Sequence, residues 1–216
     1  MNYIKNIYRP YIKDYKFIVS FFISLLMLVS ALVVNFYAGT YATGKASNSV
    51  TDIVLSNIRV FNVDGIFVYG AIIFWIFIAL LCALEPKRIP FIFKSTSLFV
   101  LIRSVFISLT HIGPFPSQIV INSNLLAKFT PGGDLFFSAH VGLPFLLALI
   151  FWENARIRFI CVASAVIFGV VVLMGHLHYS IDVLAAFFIT YTIYRIACAF
   201  FPKDKKIFTS GLESEN

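Results

Sequence analysis

Charge is the first thing this chain has little of. Only 12% of its 216 residues are Asp, Glu, Lys or Arg, and Asp and Glu together number ten; an ordinary soluble domain carries roughly 25% charged residues. That shortage excludes a soluble enzyme and a disordered chain. Cysteine is scarcer still. The three, Cys82, Cys161 and Cys198, all fall in apolar runs. A disulfide framework is therefore excluded, and each reads as a small buried hydrophobe. No internal repeat and no low-complexity tract is visible. The first segment also lacks the marks of a secretory leader: its hydrophobic run is too long, and nothing like a cleavage site follows it.

What is present is apolar. Sixty per cent of the residues are hydrophobic, 25 of them Phe, and the mean hydropathy is +0.90. A soluble fold of this size cannot hide that much apolar surface. An integral membrane protein remains, its many aromatics suited to lipid contact and interfacial belts. The net charge of +7 reads as a topology signal, and no nucleic-acid partner is expected.

Six apolar runs predict six membrane spans: Phe17 to Ala38, Ile66 to Leu84, Phe91 to Leu109, Leu135 to Trp152, Ile157 to Met174 and Tyr179 to Phe200. The fold class is all-α, a polytopic six-helix bundle in one integral membrane domain over residues 1–216. Residues 1–16 mix tyrosines with basic residues and are expected to lie along the interface. Residues 17–200 form the bundle, and 201–216 a tail whose polar end from Thr209 is expected to be disordered. Thirteen of the seventeen basic residues then fall on one side: Lys5, Arg9, Lys13, Lys16, Lys87, Arg88, Lys94, Arg156, Arg158, Arg195, Lys203, Lys205 and Lys206. The positive-inside rule makes that side, with both termini, cytoplasmic.

The remaining polar residues share one address. Arg103, His111, Asp134, Ser138, His140, His176, His178 and Asp182 all map to the non-cytoplasmic ends of spans three to six. Ionisable groups within spans are costly, so their gathering at one depth marks a functional site. His178 and Asp182 are four residues apart and share a helix face. The carboxylate can take one imidazole N–H, leaving the other nitrogen as a nucleophile. His140 can protonate a leaving oxygen, and Arg103 can clamp a phosphate. Each also has a plainer reading: a satisfied polar pair, a snorkelling arginine, or, for Asp134 in Pro131-Gly132-Gly133-Asp134, a turn residue. His176 reads as structural or loop-lining, and His111, before Gly113-Pro114-Phe115-Pro116, is ambiguous. Convergence, rather than any one residue, argues for phosphoryl transfer through a phosphohistidine, with no metal or other cofactor.

The motifs resemble those of a known family. Gly133-Asp134-Leu135-Phe136-Phe137-Ser138-Ala139-His140 resembles the G-D-x-x-F-S-G-H motif of sphingomyelin synthases. His176-Leu177-His178-Tyr179-Ser180-Ile181-Asp182-Val183 resembles their H-x-H-Y-[ST]-x-D-V motif. Arg103-Ser104, Thr110 and the Pro114, Pro116 pair resemble the segment that ends their third span, and Asp52 to Asp64 loosely fits their loop before span two. These enzymes lie within the type-2 phosphatidic acid phosphatase superfamily. The resemblance implies a nucleophile at His178 oriented by Asp182, an acid at His140, and substrate contacts at Arg103, Asp134, Ser138 and Tyr179. It also implies transfer of a phosphocholine- or phosphoethanolamine-type head group from a glycerophospholipid to a lipid hydroxyl, releasing diacylglycerol. Ceramide, diacylglycerol or water would all serve as acceptor. The chain departs from the pattern at Ala139, which replaces the motif glycine, and in a Pro-x-Pro set one residue further from Arg103.

The rival activities are a phospholipase C-type hydrolase and a lipid phosphatase acting on phosphatidate or isoprenyl diphosphate. Such phosphatases carry an Arg six residues before the nucleophile, where this chain has Val172, and a Lys-x6-Arg-Pro motif that Lys94 and Arg103 do not form. A transporter would show paired broken helices, and none is apparent. The Ile-, Lys-, Asn- and Phe-rich composition points to a bacterial inner membrane with the site facing the periplasm.

Overall fold

The structure is a computed structural model that describes residues 2–119 and 135–212, with side chains from residue 7 onward. Every regular element among them is helical. Asn2–Lys13 forms α1, an amphipathic helix that packs on the next through Tyr11 and Phe17, ring centroids 5.0 Å apart. Asp14 caps α2, Tyr15–Gly44, by accepting the Phe17 N–H at 2.7 Å. Thirty residues make α2 roughly 45 Å long. A π-helical turn, Ile66–Gly70, leads into α3, Ala71–Leu84, and a 3-10 turn at Pro86–Arg88 into α4, Ile89–Leu109. Then follow α5, Ala139–Ile150; α6, Ala155–Met174; α7, Ser180–Phe200; and α8, Pro202–Ser210.

Five of these helical segments are long and apolar enough to cross a membrane. The fold is thus an all-helical multi-pass membrane bundle, but its fourth span departs from expectation. Leu135 to Trp152 is not one helix: α5 has 12 residues, roughly 18 Å against the ~30 Å of a bilayer core. The preceding stretch 135–138 is apolar yet non-helical. Irregular backbone is tolerated at such a depth where protein takes its polar groups, and here the Leu135 and Phe137 carbonyls and the Ser138 N–H are taken, as described below. The tail also departs from expectation. Thr209 and Ser210 complete α8, so the stretch from Thr209 is in part helical; residues 213–216 lie outside the described residues.

α4 is the central helix and packs against α2, α5, α7 and α8. Close helix crossing depends on Gly142 of α5, where an added Cβ would stand 2.6 Å from the Phe99 ring and 2.9 Å from Thr190 Oγ1. At one end of the bundle, Lys94 of α4 bonds Asp204 of α8 at 2.7 Å and Ser20 of α2 at 2.8 Å; all three sites are at least part-buried. The site lies at the other end, where the loop after α2, the chain after α4, the start of α5 and the α6–α7 turn meet.

Candidate active site

Three of the sequence-predicted residues converge on the stretch 135–138, which itself holds a fourth, Ser138. His178 Nδ1 lies 2.9 Å from the Leu135 carbonyl. A carbonyl only accepts, so Nδ1 carries the proton and Nε2 keeps the lone pair. Arg103 Nε donates to the Phe137 carbonyl at 3.0 Å, and the Ser138 N–H donates to the Asp182 carbonyl at 3.3 Å. The ends of α4, α5 and α7 are stitched together through one short piece of backbone. This fits its non-helical backbone, since a helix would have turned those carbonyls along its own axis.

Asp182 differs from expectation in detail. Its Oδ2 is 3.5 Å from His178 Nδ1, beyond a good hydrogen bond, and accepts the Tyr179 N–H at 3.0 Å. The carboxylate closes the first turn of α7 and supplies negative charge beside the imidazole, while the Leu135 carbonyl takes the proton-bearing nitrogen. Asp182 is fully buried, and its Oδ1 has no partner. The Tyr179 hydroxyl donates to the Gly113 carbonyl at 2.8 Å and accepts the Val50 N–H at 3.2 Å. The residue is 1% exposed, and the side chain braces two loops.

Ser138 is fully buried at the N-cap of α5, yet it makes no side-chain cap and its hydroxyl has no partner. The first bond of the α5 ladder is Gly142 N–H to Ser138 O, at 2.9 Å. The N–H groups of Ala139, His140 and Val141 therefore precede that ladder, as at any helix start. The His140 ring stacks on Phe67, centroids 4.0 Å apart, with Phe168 edge-on at 6.0 Å. Its electrostatic neighbours include His178 and Arg103. Beside it opens a cavity of about 90 Å³ lined by Ala71, Phe74, Trp75, Leu143, Pro144 and Phe168. That apolar wall suits a hydrocarbon chain. Asp134 lies outside the described residues.

The other two histidines sit apart from this centre. His111 packs its ring on Tyr41 at 5.3 Å, and its carbonyl accepts Ser47 N–H and Oγ–H. His176 has a positive φ of 53° and hydrogen-bonds Ser117 Oγ at 2.7 Å. It ties the chain after α4 to the α6–α7 turn. The chain after α4 also runs close to the loop after α2: an added Cβ on Gly113 would lie 2.1 Å from the Ser47 carbonyl oxygen.

Sequence reasoning passed over Asp52, which is 6% exposed. Its Oδ1 accepts the Val54 and Leu55 N–H groups at 2.8 and 3.0 Å. Its Oδ2 accepts the N–H of Ser180, the first residue of α7, at 2.7 Å. Burial acts to raise its pKa, but the hydrogen bonds from Leu55, Ser180 and Val54 outweigh it and hold the carboxyl below its ordinary 3.8. The local signal was an aspartate two and three residues before the N–H groups it accepts; the Ser180 contact left no trace in sequence.

Residues 132–199 match a family model, that of the PAP2 superfamily C-terminal domain. The match supports membership of the type-2 phosphatidic acid phosphatase superfamily and, with it, a lipid phosphatase or phosphotransferase type of activity. The PAP2 match takes in 135–138, α5, α6 and nearly all of α7. It does not reach the sphingomyelin synthase subfamily, nor does it include Arg103 or Asp52. No curated protein and no solved structure matches the chain.

Proposed function

We propose that this membrane protein transfers a phosphorylated head group, of phosphocholine or phosphoethanolamine type, from a glycerophospholipid to a lipid hydroxyl such as that of ceramide. The observation that carries the reading is the His178 imidazole, fixed at Nδ1 by the Leu135 carbonyl so that Nε2 is the lone-pair nitrogen. In the first step Nε2 attacks phosphorus, the P–N bond forms and the bond to the glycerol oxygen breaks. That oxygen takes a proton from protonated His140 and leaves as diacylglycerol. In the second step the acceptor hydroxyl gives its proton to His140 and its oxygen attacks phosphorus. The P–N bond breaks and Nε2 recovers its lone pair. Ser138, the first N–H groups of α5 and Arg103 line the place for the phosphate oxygens. Asp182 steadies the charge on His178, and Asp134 remains a candidate partner for a cationic head group.

Two positions support a diester over a monoester. Val172, where the phosphatases carry a second arginine, is fully buried in the core. Lys94 is bonded to Asp204 at the opposite end of the bundle. A diester brings one negative charge and a monoester close to two, and the second charge lacks a cation in a partly dehydrated site. Purified protein given labelled phosphatidylcholine or phosphatidylethanolamine together with ceramide should yield diacylglycerol and a head-group-bearing acceptor. Faster release of phosphate from phosphatidate would replace this reading with a phosphatase, and diacylglycerol with free phosphocholine would replace it with a hydrolase. The proposed setting is a bacterial inner membrane, with the site facing the periplasm and both termini in the cytoplasm. A cysteine introduced between positions 42 and 48 should then react with an impermeant reagent added outside, and labelling only from the cytoplasmic side would reverse the orientation.

A further inference from the structure

The turn that begins at Asp52 touches the nucleophile's surroundings on two sides. Asp52 Oδ2 holds the N–H of Ser180, two residues after His178, while Oδ1 closes its own turn on Val54 and Leu55. Leu55 is 2% exposed and packs with Leu135 and Tyr179. Leu135 supplies the carbonyl that takes the His178 Nδ1 proton, and Tyr179 is the next residue in the chain. One turn, remote in sequence, therefore grips both the backbone that follows the nucleophile and the residue that accepts its N–H. The same loop is secured on either side of the turn, by Val50 N–H on the Tyr179 hydroxyl and by Phe61 N–H on the Met174 carbonyl at 2.8 Å.

We propose that Asp52 is a positioning residue for the nucleophile: its carboxylate pins the start of α7 and, through Leu55, the Leu135 carbonyl, so that the His178 Nε2 lone pair stays aimed at phosphorus. Its consequence for turnover rests on the phosphohistidine reading above, whereas its consequence for the His178 tautomer does not. A bond between a carboxylate and a backbone N–H at a helix start is charge-assisted and strong. Without it the first turn of α7 can shift against 135–138, and the Nδ1–H···Leu135 bond loosens.

The test uses full-length protein in phosphatidylcholine nanodiscs and two variants that reach the same bond from opposite ends. Asp52→Asn removes the charge and offers an amide where the N–H needs an acceptor. Ser180→Pro removes the N–H itself. Proline is favoured at the first helical position, and Tyr179 at φ −70°, ψ 155° already has the backbone a following proline prefers. Each variant should lower kcat for diacylglycerol release roughly tenfold with KM changed less than about twofold. The double variant should be no slower than either single one, since both remove one interaction. In protein labelled with 15N-histidine, the His178 signal, assigned by its loss in His178→Gln, should show the Nδ1–H tautomer in the wild type and a mixture of tautomers in Asp52→Asn. Unchanged kcat with an unchanged tautomer would overturn the proposal, as would fully additive losses. If the wild type releases no diacylglycerol from any phosphodiester lipid, the transferase reading fails by itself. The tautomer then decides for Asp52: a mixture supports the positioning role and a single Nδ1–H form refutes it.

Discussion

The starts of α5 and α7 lie side by side but are finished in opposite ways. At α7, carboxylates take the backbone donors: Asp52 holds Ser180 N–H and Asp182 holds Tyr179 N–H. At α5 the N-cap residue is a serine that makes no side-chain cap, with a buried hydroxyl lacking a partner. Helix starts attract anions, so the protein has filled one with its own carboxylates and left the other for something else. The contrast assigns the work. On the proposed reading the carboxylate-filled start would present the nucleophile, and the start of α5, beside the non-helical stretch 135–138, would receive phosphate oxygens. On the same reading Arg103 would serve the α5 side, its guanidinium anchored through Nε on the Phe137 carbonyl.

The most severe way to break this pairing is to remove what the filled start presents. His178→Ala should abolish turnover and leave the size-exclusion profile in detergent unchanged; measurable diacylglycerol release would remove the covalent mechanism. Next in size is to make the open start resemble the filled one. Ser138→Asp supplies a residue that caps helices about as well as serine and places a carboxylate where the phosphate is due. Thermal stability should fall, because the carboxylate enters a fully buried position near Asp182, and diacylglycerol release should fall by on the order of a hundredfold in the fraction that stays folded, about 2.7 kcal/mol in barrier. A stable variant with normal turnover would place the anion elsewhere. Arg103→Lys keeps the charge but loses the fork that allows one face to anchor on Phe137 while the other meets phosphate. A drop of about tenfold in kcat/KM is expected, and a lysine variant equal to wild type would reduce Arg103 to a plain cation.

The smallest effect tests the filled start by pH. The Asp52 carboxyl has a pKa below its ordinary 3.8 in the folded protein. A lowered carboxylate pKa contributes stability that is present above the unfolded value and lost as pH falls through the folded one. Thermal stability should therefore be flat from neutral pH down to about 4 as far as this group is concerned. Below that it should decline less steeply in Asp52→Asn than in the wild type. Parallel curves for the two proteins would show that the carboxylate is not linked to folding.

Comparing the same two helix starts also shows what sequence could and could not disclose. The run lengths found five membrane-crossing helices because continuous apolar stretches have one economical answer in lipid. The fourth differed because Leu135-Phe136-Phe137 is as apolar as a helix; only its backbone bonds, to His178 and Arg103, show why it is not helical. The spacing of His178 and Asp182 made their closeness legible, but the acceptor for Nδ1 is a main-chain carbonyl 43 residues away. Every residue has a carbonyl, so none is conspicuous. Asp52 was hidden for a related reason, since its partner in α7 is an N–H 128 residues distant. A tyrosine in such a motif suggests substrate, and sequence carries no sign that its hydroxyl is held by Gly113 and Val50. The end of α8 was misread because its polarity suggested disorder, yet the helix is anchored upstream by Asp204.

That anchor has a consequence for how the chain is made. Lys94 and Asp204 are separated by 110 residues, and translation adds roughly 5–20 residues per second. For several seconds the α4 ammonium exists without its carboxylate, and a charge buried alone in an apolar seam is strongly unfavourable. The base of α4 must therefore stay near the water interface until the last helix has left the ribosome. Only then can Ser20, Lys94 and Asp204 close together, and with them the seam between α2 and α4. The bundle is thus assembled in the order its spans emerge but sealed from its end, and a chain stopped before Asp204 would display an unpaired lysine to quality control.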